Sequence, residues 1–273
     1  MPDAPLTVVA LAGGSLERGF RDAGYDVVNK AYIPIGGTLM LERVLGAYRA
    51  SRSAGRIRLV TQADAYEAAF GRGKGAELCD AVVAPGDDVI SSMLAGFAGL
   101  DHDELTIVTA TDLPLLTPAA VDAFAAQVRA TTPEFDIGYG YVSRRAHIAK
   151  YPQVRHTWVP LREGVFCGGG VSVLRAGAAA HAARLLRRVA ALRKSPLRLA
   201  GVFSPGLLVR LPFGGVRVAE LEQRADELSG LRCRGVRCDE PDLAVNVDRL
   251  ADLRVVEEIL RSGSQVPGAR GTD

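Results

Sequence analysis

One recurrence constrains this chain more than any other feature. Short apolar, β-branched runs occur at residues 7–11, 57–61, 81–84 and 105–110, and a segment of helical periodicity follows each of them. Met40, Leu41, Val44, Leu45 and Tyr48 mark one face of the first clear helix, and Val121, Phe124, Ala125 and Val128 mark another. Thr117 stands where that second helix needs its cap, with Pro118 at its first helical position. Strands that are apolar on both faces and joined by crossover helices predict a three-layer α/β fold with a mostly parallel sheet. Ligands of such sheets collect beyond the carboxyl ends of the strands, so the loops after these four runs are the places to search.

The balance of charges narrows the partner. Thirty-three Lys and Arg against 31 Asp and Glu leave a net charge of +2, which gives no broad electrostatic reason to expect nucleic acid or membrane. A small, locally recognised ligand fits better. Cys79, Cys167, Cys233 and Cys238 show no CxxC pair, so neither a zinc cluster nor a disulfide framework is indicated, and four reduced thiols are expected. The amino-terminal residues carry no basic leader, and the apolar stretch at 6–12 is too short for a signal or a membrane span. The expected location is the cytoplasm.

The first apolar run leads into Leu11, Ala12, Gly13, Gly14 and Ser15. Two glycines just past a strand end let backbone amides approach an anion, which makes this a candidate phosphate cradle; a plain tight turn is the alternative. It is neither GxGxxG nor a P-loop. Further on come Lys30 with Ala31, Tyr32, Ile33, Pro34, Ile35, Gly36 and Gly37, and then the helix entry at 38–45. A second constellation, residues 105–118, is an apolar run that ends in Thr111-Asp112-Leu113-Pro114. A third runs from Asp242 through Asn246 and Asp248 to the apolar helix expected at 250–260.

Together these segments resemble the MobA-like and sugar-phosphate nucleotidyltransferases, whose "LAGG" loop precedes a lysine, a "piGg" helix entry, an aspartate in a "D-x-P-l-l-t" segment and a closing "vNvD". The resemblance spans about residues 6–142 and returns at 242–260. It implies a Rossmann-like, GT-A-like sheet and NMP transfer from an NTP to a phosphorylated small-molecule acceptor, such as a sugar phosphate or a cofactor precursor, with release of pyrophosphate. By position, Leu11, Ala12, Gly13 and Gly14 wrap the triphosphate, and Lys30 neutralises it. Asp112 and Asp248, with Asn246 beside them, hold Mg²⁺, which prefers one or two carboxylates together with substrate phosphates. Residues without that role would read as a surface lysine at Lys30 and as helix or turn caps at the two aspartates.

Other positions follow from the same resemblance. Arg18 is the candidate for the family's loop arginine, although the segment 15–29 is longer than the family's usual loop. Ser91 and Ser92 lie where these enzymes present a loop and helix start to the base, and would otherwise cap a helix. Gly168 and Gly169 resemble a stretch that faces the acceptor in some relatives, and Arg155 and Arg162 are suited to an acceptor phosphate. The family's Thr-Pro after the closing aspartate is Arg249-Leu250 here.

The expected organisation is one domain over 1–262: a nucleotide-binding half at 6–142, an irregular acceptor-facing elaboration at 143–241 with a helix near 178–193, and a closing strand and helix at 242–262. Residues 263–273 read as a flexible tail. Two other functions share parts of the pattern. A nucleotide-sugar glycosyltransferase would show Asp-x-Asp where this chain has Thr111-Asp112-Leu113, and a catalytically silent nucleotide-binding protein would keep the fold alone.

Overall fold

A computed structural model of the chain describes residues 4–192 and 205–263. From β1 (Leu6–Leu11) the chain passes a short α1 (Arg18–Asp22), a small hairpin of β2 (Pro34–Ile35) and β3 (Thr38–Leu39), and α2 (Met40–Ala50). It continues through β4 (Ala54–Val60), α3 (Ala63–Leu78), β5 (Ala81–Val83), α4 (Val89–Phe97), β6 (Leu105–Ala110), α5 (Pro118–Ala130), β7 (Ile137–Ser143) and α6 (Arg144–Lys150). Then follow β8 (Val159–Leu161), β9 (Gly164–Arg175), α7 (Ala179–Leu192), α8 (Pro205–Arg210), α9 (Val218–Ser229), β10 (Cys233–Arg237) and α10 (Leu250–Gly263).

The main sheet has the order β10-β7-β9-β6-β1-β4-β5, with β8 attached to β9. β1 pairs in parallel with β4 and β6, β4 with β5, and β7 with β10, while β9 runs antiparallel to β6, β7 and β8. The sheet is thus mostly parallel, as the recurrence predicts. Val8, Val9 and Ala10 of the central strand are inaccessible to solvent. Their alternation divides the core: Val8 and Ala10 pack with Leu41, Val44 and Tyr48 of α2 and Phe124 of α5, whereas Val9 packs with Met93 and Phe97 of α4 and Ala182 of α7. Thr117 caps α5 by accepting the Ala120 amide, with Pro118 in the first turn.

A third apolar cluster lies outside these two layers. Leu16 and Phe20 from the α1 region, Ile33 and Ile35 from the β2 region, Val245 and Val247, and Leu253 and Val256 of α10 pack together. This cluster fastens the long loop after β1 to the closing segment, two pieces far apart in sequence.

Residues 143–241 are more regular than their composition suggests. β9 is twelve residues long and sits between β6 and β7, yet it contains Gly168-Gly169-Gly170, which weakens any strand signal. The glycines are there for space. A side chain at Gly168 would collide with the Tyr139 hydroxyl, one at Gly169 would lie 3.3 Å from the Gly140 carbonyl oxygen, and one at Gly170 would lie 2.8 Å from Leu113 and 2.9 Å from the Asn246 amide. The expected closing strand is absent: residues 244–248 join no ladder. A backbone bond from the Val247 amide to the Asp112 carbonyl, 2.9 Å, ties this segment to the residues just after β6. The predicted helix at 178–193 is α7, with Arg193 outside the described residues; the predicted tail is also outside them, apart from Gly263, which ends α10. No described helix is long and apolar enough to cross a membrane. The four cysteines are free.

Candidate active site

The site begins where β1 ends. Ala12 continues the strand by donating its amide to the Val60 carbonyl at 2.9 Å, and its own carbonyl accepts from Asn29 Nδ2 at 2.7 Å and Thr61 Oγ1 at 3.1 Å. Asn29 is buried, and its Oδ1 accepts the Ala31 amide at 3.0 Å, which caps a single 3-10 turn over Lys30–Tyr32. One asparagine therefore fixes the glycine loop and the lysine relative to each other. Gly14 has φ +94°, a conformation that favours glycine, and no atom lies within 4 Å of the place its side chain would occupy. Gly13 is packed against Pro85 and Ser92.

Lys30 projects from the capped turn into a group of carboxylates. Its Nζ lies 2.6 Å from Asp112 Oδ2, 2.8 Å from Asp248 Oδ1 and 3.6 Å from Glu17 Oε1. Burial would lower its pKa, but the charge of Asp112 and hydrogen bonds to Asp112 and Asp248 outweigh that cost and hold it above the ordinary lysine range. The group is an ammonium at neutral pH.

Asp112 follows β6 and is 7% exposed. Its Oδ1 accepts from Asn246 Nδ2 at 3.1 Å, so the closing segment orients this carboxylate by a side-chain bond and by the backbone bond from Val247. Asn246 and Asp248, two residues apart, both bond into the cleft, one to Asp112 and the other to Lys30. Asp248 is not the helix cap: Asp252 reaches back to accept the amides of Asp248 and Arg249 at 3.2 and 2.8 Å, while the Asp248 carboxylate bonds to Lys30. Behind these residues a buried carboxylate anchors the segment. Asp242 accepts from Thr117 Oγ1 at 2.7 Å, Lys150 Nζ at 2.6 Å and the Tyr151 hydroxyl at 2.7 Å.

The remaining candidates are placed differently. Arg18 pairs with Asp22 at 3.3 Å on the exposed side of α1, with its side chain 87% exposed. Ser91 and Asp88 form the capping box of α4, and Ser92 Oγ accepts the Gly86 amide at 3.1 Å beneath Gly13. Both hydroxyls hold the loop that borders the glycines. Arg155 is exposed and, with Asn246 and Asp252, lines a cavity beside the carboxylates. Arg162 stands at the turn between β8 and β9. Since Phe166 pairs with Ser143, the last residue of β7, this hairpin extends past the carboxyl edge of the sheet. Gly168 and Gly169 are packed against Tyr139 and backbone.

The sequence reading missed two neighbours. Glu17 approaches Lys30 from the long loop, where no motif points to it. Gln62, at the end of β4, donates to the Gly14 carbonyl at 3.4 Å, and its buried Oε1 has no hydrogen-bond partner. A polar residue at the carboxyl end of a parallel strand was the available signal.

Among the described residues no three His, Cys, Asp or Glu side chains are gathered to hold a metal ion by themselves. The donor set nevertheless suits a hard cation of the Mg²⁺ kind. Asp112 and Asp248 bond to one nitrogen and so converge on the same point of the cleft, and two carboxylates are what Mg²⁺ takes when substrate phosphates complete its shell.

Comparison with known proteins bears on the fold and the family. No curated protein matches the chain. Among solved structures, a hypothetical transferase from Thermus thermophilus is 29% identical, with a TM-score of 0.76 over 91% of this chain and 99% of that one. A CMP:2-keto-3-deoxy-manno-octonic acid synthetase complexed with CTP is 14% identical, with a TM-score of 0.59 over 95% and 99% of the two chains. A 4-diphosphocytidyl-2C-methyl-D-erythritol synthase from Anaerococcus prevotii is 12% identical, with a TM-score of 0.55 over 95% and 99%. At these low identities the last two show the shared fold. The model of the MobA-like NTP transferase domain matches residues 8–195, which carry the glycine loop, Lys30 and Asp112, and the chain belongs to that family.

Proposed function

We propose that this protein transfers an NMP from an NTP to a phosphorylated small molecule and releases pyrophosphate, with Mg²⁺ as cofactor. The observation that carries the reading is the convergence of Lys30, Asp112 and Asp248, from three remote parts of the chain, at the carboxyl edge beside the glycine loop. An acceptor phosphate oxygen forms a new bond to the α-phosphorus as the bond to the bridging oxygen of pyrophosphate breaks, so negative charge builds on the leaving group. Lys30, fixed by the Asn29-capped turn, supplies a full positive charge where that charge develops. Gly13 and Gly14 offer backbone approach to the triphosphate. Asp112 and Asp248 would hold the metal, which when bound neutralises phosphate charge.

An acceptor that is already an ionised phosphate needs no protein base. Among the described residues, the side-chain partners of the Lys30, Asp112 and Asp248 side chains are Glu17, Asn246 and one another. His147 is buried and bonds to His156. The acceptor is expected in the direction of Arg155 and of the hairpin that carries Arg162.

The test is pyrophosphate release from a panel of NTPs mixed with sugar phosphates and other phosphorylated acceptors, with and without Mg²⁺. Release with one NTP and one acceptor class, dependent on metal, is the expected result. Nucleotide binding without release across the panel would mean a silent binding protein, and sugar transfer from a nucleotide sugar would mean a glycosyltransferase.

A further inference from the structure

We propose that Lys30 is a resident cation that keeps the Asp112–Asp248 pair closed to free divalent ions until nucleotide phosphates draw it away, so that metal enters with the nucleotide and not ahead of it. This rests on the metal-dependent nucleotide reading above. The geometry supporting it concerns who already occupies the carboxylates. Lys30 Nζ lies within hydrogen-bond distance of one oxygen of each aspartate, 2.6 and 2.8 Å, and so sits in the space between them. A Mg²⁺-like ion shared by those oxygens needs to approach to about 2.1 Å of each. Two cations cannot be there together without strong repulsion. The other oxygen of Asp112 already accepts from Asn246 Nδ2 at 3.1 Å, so the buried aspartate offers a free ion neither oxygen unengaged.

Lys30 has somewhere to go. It is a flexible side chain on a short capped turn, and Glu17 Oε1, 3.6 Å away and 47% exposed, provides a carboxylate on the loop side. The space around Gly14 is open. A triphosphate lying along the glycine loop would give the ammonium stronger partners than the aspartates and would release both carboxylates for a metal held jointly with the phosphates. The three carboxylates carry more negative charge than one ammonium cancels, so the pair remains attractive to a divalent ion once Lys30 has moved.

The test uses the full chain without nucleotide and Mn²⁺ as probe, followed by paramagnetic resonance of the free ion. Wild type, Lys30→Met, Lys30→Arg, Asp112→Asn and Lys30→Met/Asp112→Asn are compared at one ionic strength, with melting curves to show that each is folded. The Met variant should bind Mn²⁺ about tenfold or more tightly than wild type, the scale expected when one nearby positive charge is removed from a partly screened carboxylate pair. The Arg variant, which keeps the charge, should stay as weak as wild type, and the double variant should lose the gain. Equal Mn²⁺ affinity in wild type and Lys30→Met, weakened in each by Asp112→Asn, would overturn the proposal while leaving the metal site intact. An equal gain in the Arg variant would also overturn it, since loosening and not charge would then be responsible. If Asp112→Asn changes nothing in any background, with or without added NTP, the metal reading itself fails and the proposal falls with it.

Discussion

The centre of the sheet and its β10 end solve different problems. Around β1 and β6, the cleft is built from charged and polar atoms that nearly all have a named partner: Ala12 held by Asn29 and Thr61, Asp112 by Asn246, Lys30 by two aspartates. Under α9, the face of β7, β9 and β10 encloses a hollow lined by Tyr139, Tyr141, Leu161, Phe166 and Leu221, with very little polar surface. The first region depends on single atoms at fixed places. The second depends on volume, which glycines and aromatic rings adjust. Single-atom changes should therefore be severe in the cleft and mild in the hollow.

The sharpest break is Asp112→Asn. It preserves shape while removing the charge, so a cap would tolerate it and a hard-cation ligand would not. We expect pyrophosphate release to fall to background and the thermal shift with NTP to lose its dependence on Mg²⁺, with melting of the free protein little changed. A variant that melts several degrees lower yet still turns over would place the metal elsewhere. Next is Lys30→Ala, expected to lower turnover by ~10²-fold or more, the usual cost of losing a positioned electrostatic stabiliser. A normal rate with normal NTP binding would reduce Lys30 to a structural ion pair.

Gly170→Ala tests the seam between the regions, because the added carbon would press on Leu113 and on Asn246, the residue that orients Asp112. We expect a loss of about 1–3 kcal/mol in denaturant unfolding, typical of overpacking, together with a weaker nucleotide response. Unchanged stability would mean that Leu113 and Asn246 have room to yield. A pH effect belongs to α6, outside both regions. Burial, and then the neighbouring His156, push His147 down to about 4, so the folded protein resists a proton that the unfolded chain accepts near 6.5. Stability from this group is complete above pH 6.5 and is lost as pH falls toward 4. His147→Phe should flatten that slope in urea titrations, and a slope unchanged by the substitution would assign it to other groups. The smallest effect is expected from Leu221→Met in the hollow, under about 1.5 kcal/mol and with no change in turnover.

Legibility in the sequence divides along the same line. Strands with apolar runs announce themselves: β1 and β6 are the most buried of them, and even β4 and the edge strand β5, with Val82 38% exposed, keep enough apolar residues for them and their helices to be read directly. β9 could not: its glycine run is a response to Tyr139, Gly140, Leu113 and Asn246, which lie far away in the chain. The convergence of Lys30 with Asp112 and Asp248 followed from matched motifs, whereas Glu17 and Gln62 belong to no motif and reach the cleft through loop conformation. Ser91 and Ser92 show the opposite case, a polar pair whose hydroxyls serve the loop and helix start of α4.

The third apolar cluster has a consequence for how the protein is made. Lys30 and Asp248 are separated by 218 positions, and the cluster that brings them together needs Leu253 and Val256 of α10. Contacts between such distant residues close late, because a large loop must be ordered before they form. The pairing of β1 with β6 needs only the first part of the chain, whereas the loop that carries Lys30 finds its apolar support in the closing segment. The second aspartate arrives only with the last described helix, so a nascent or truncated chain would lack one of the two aspartates that bond to Lys30.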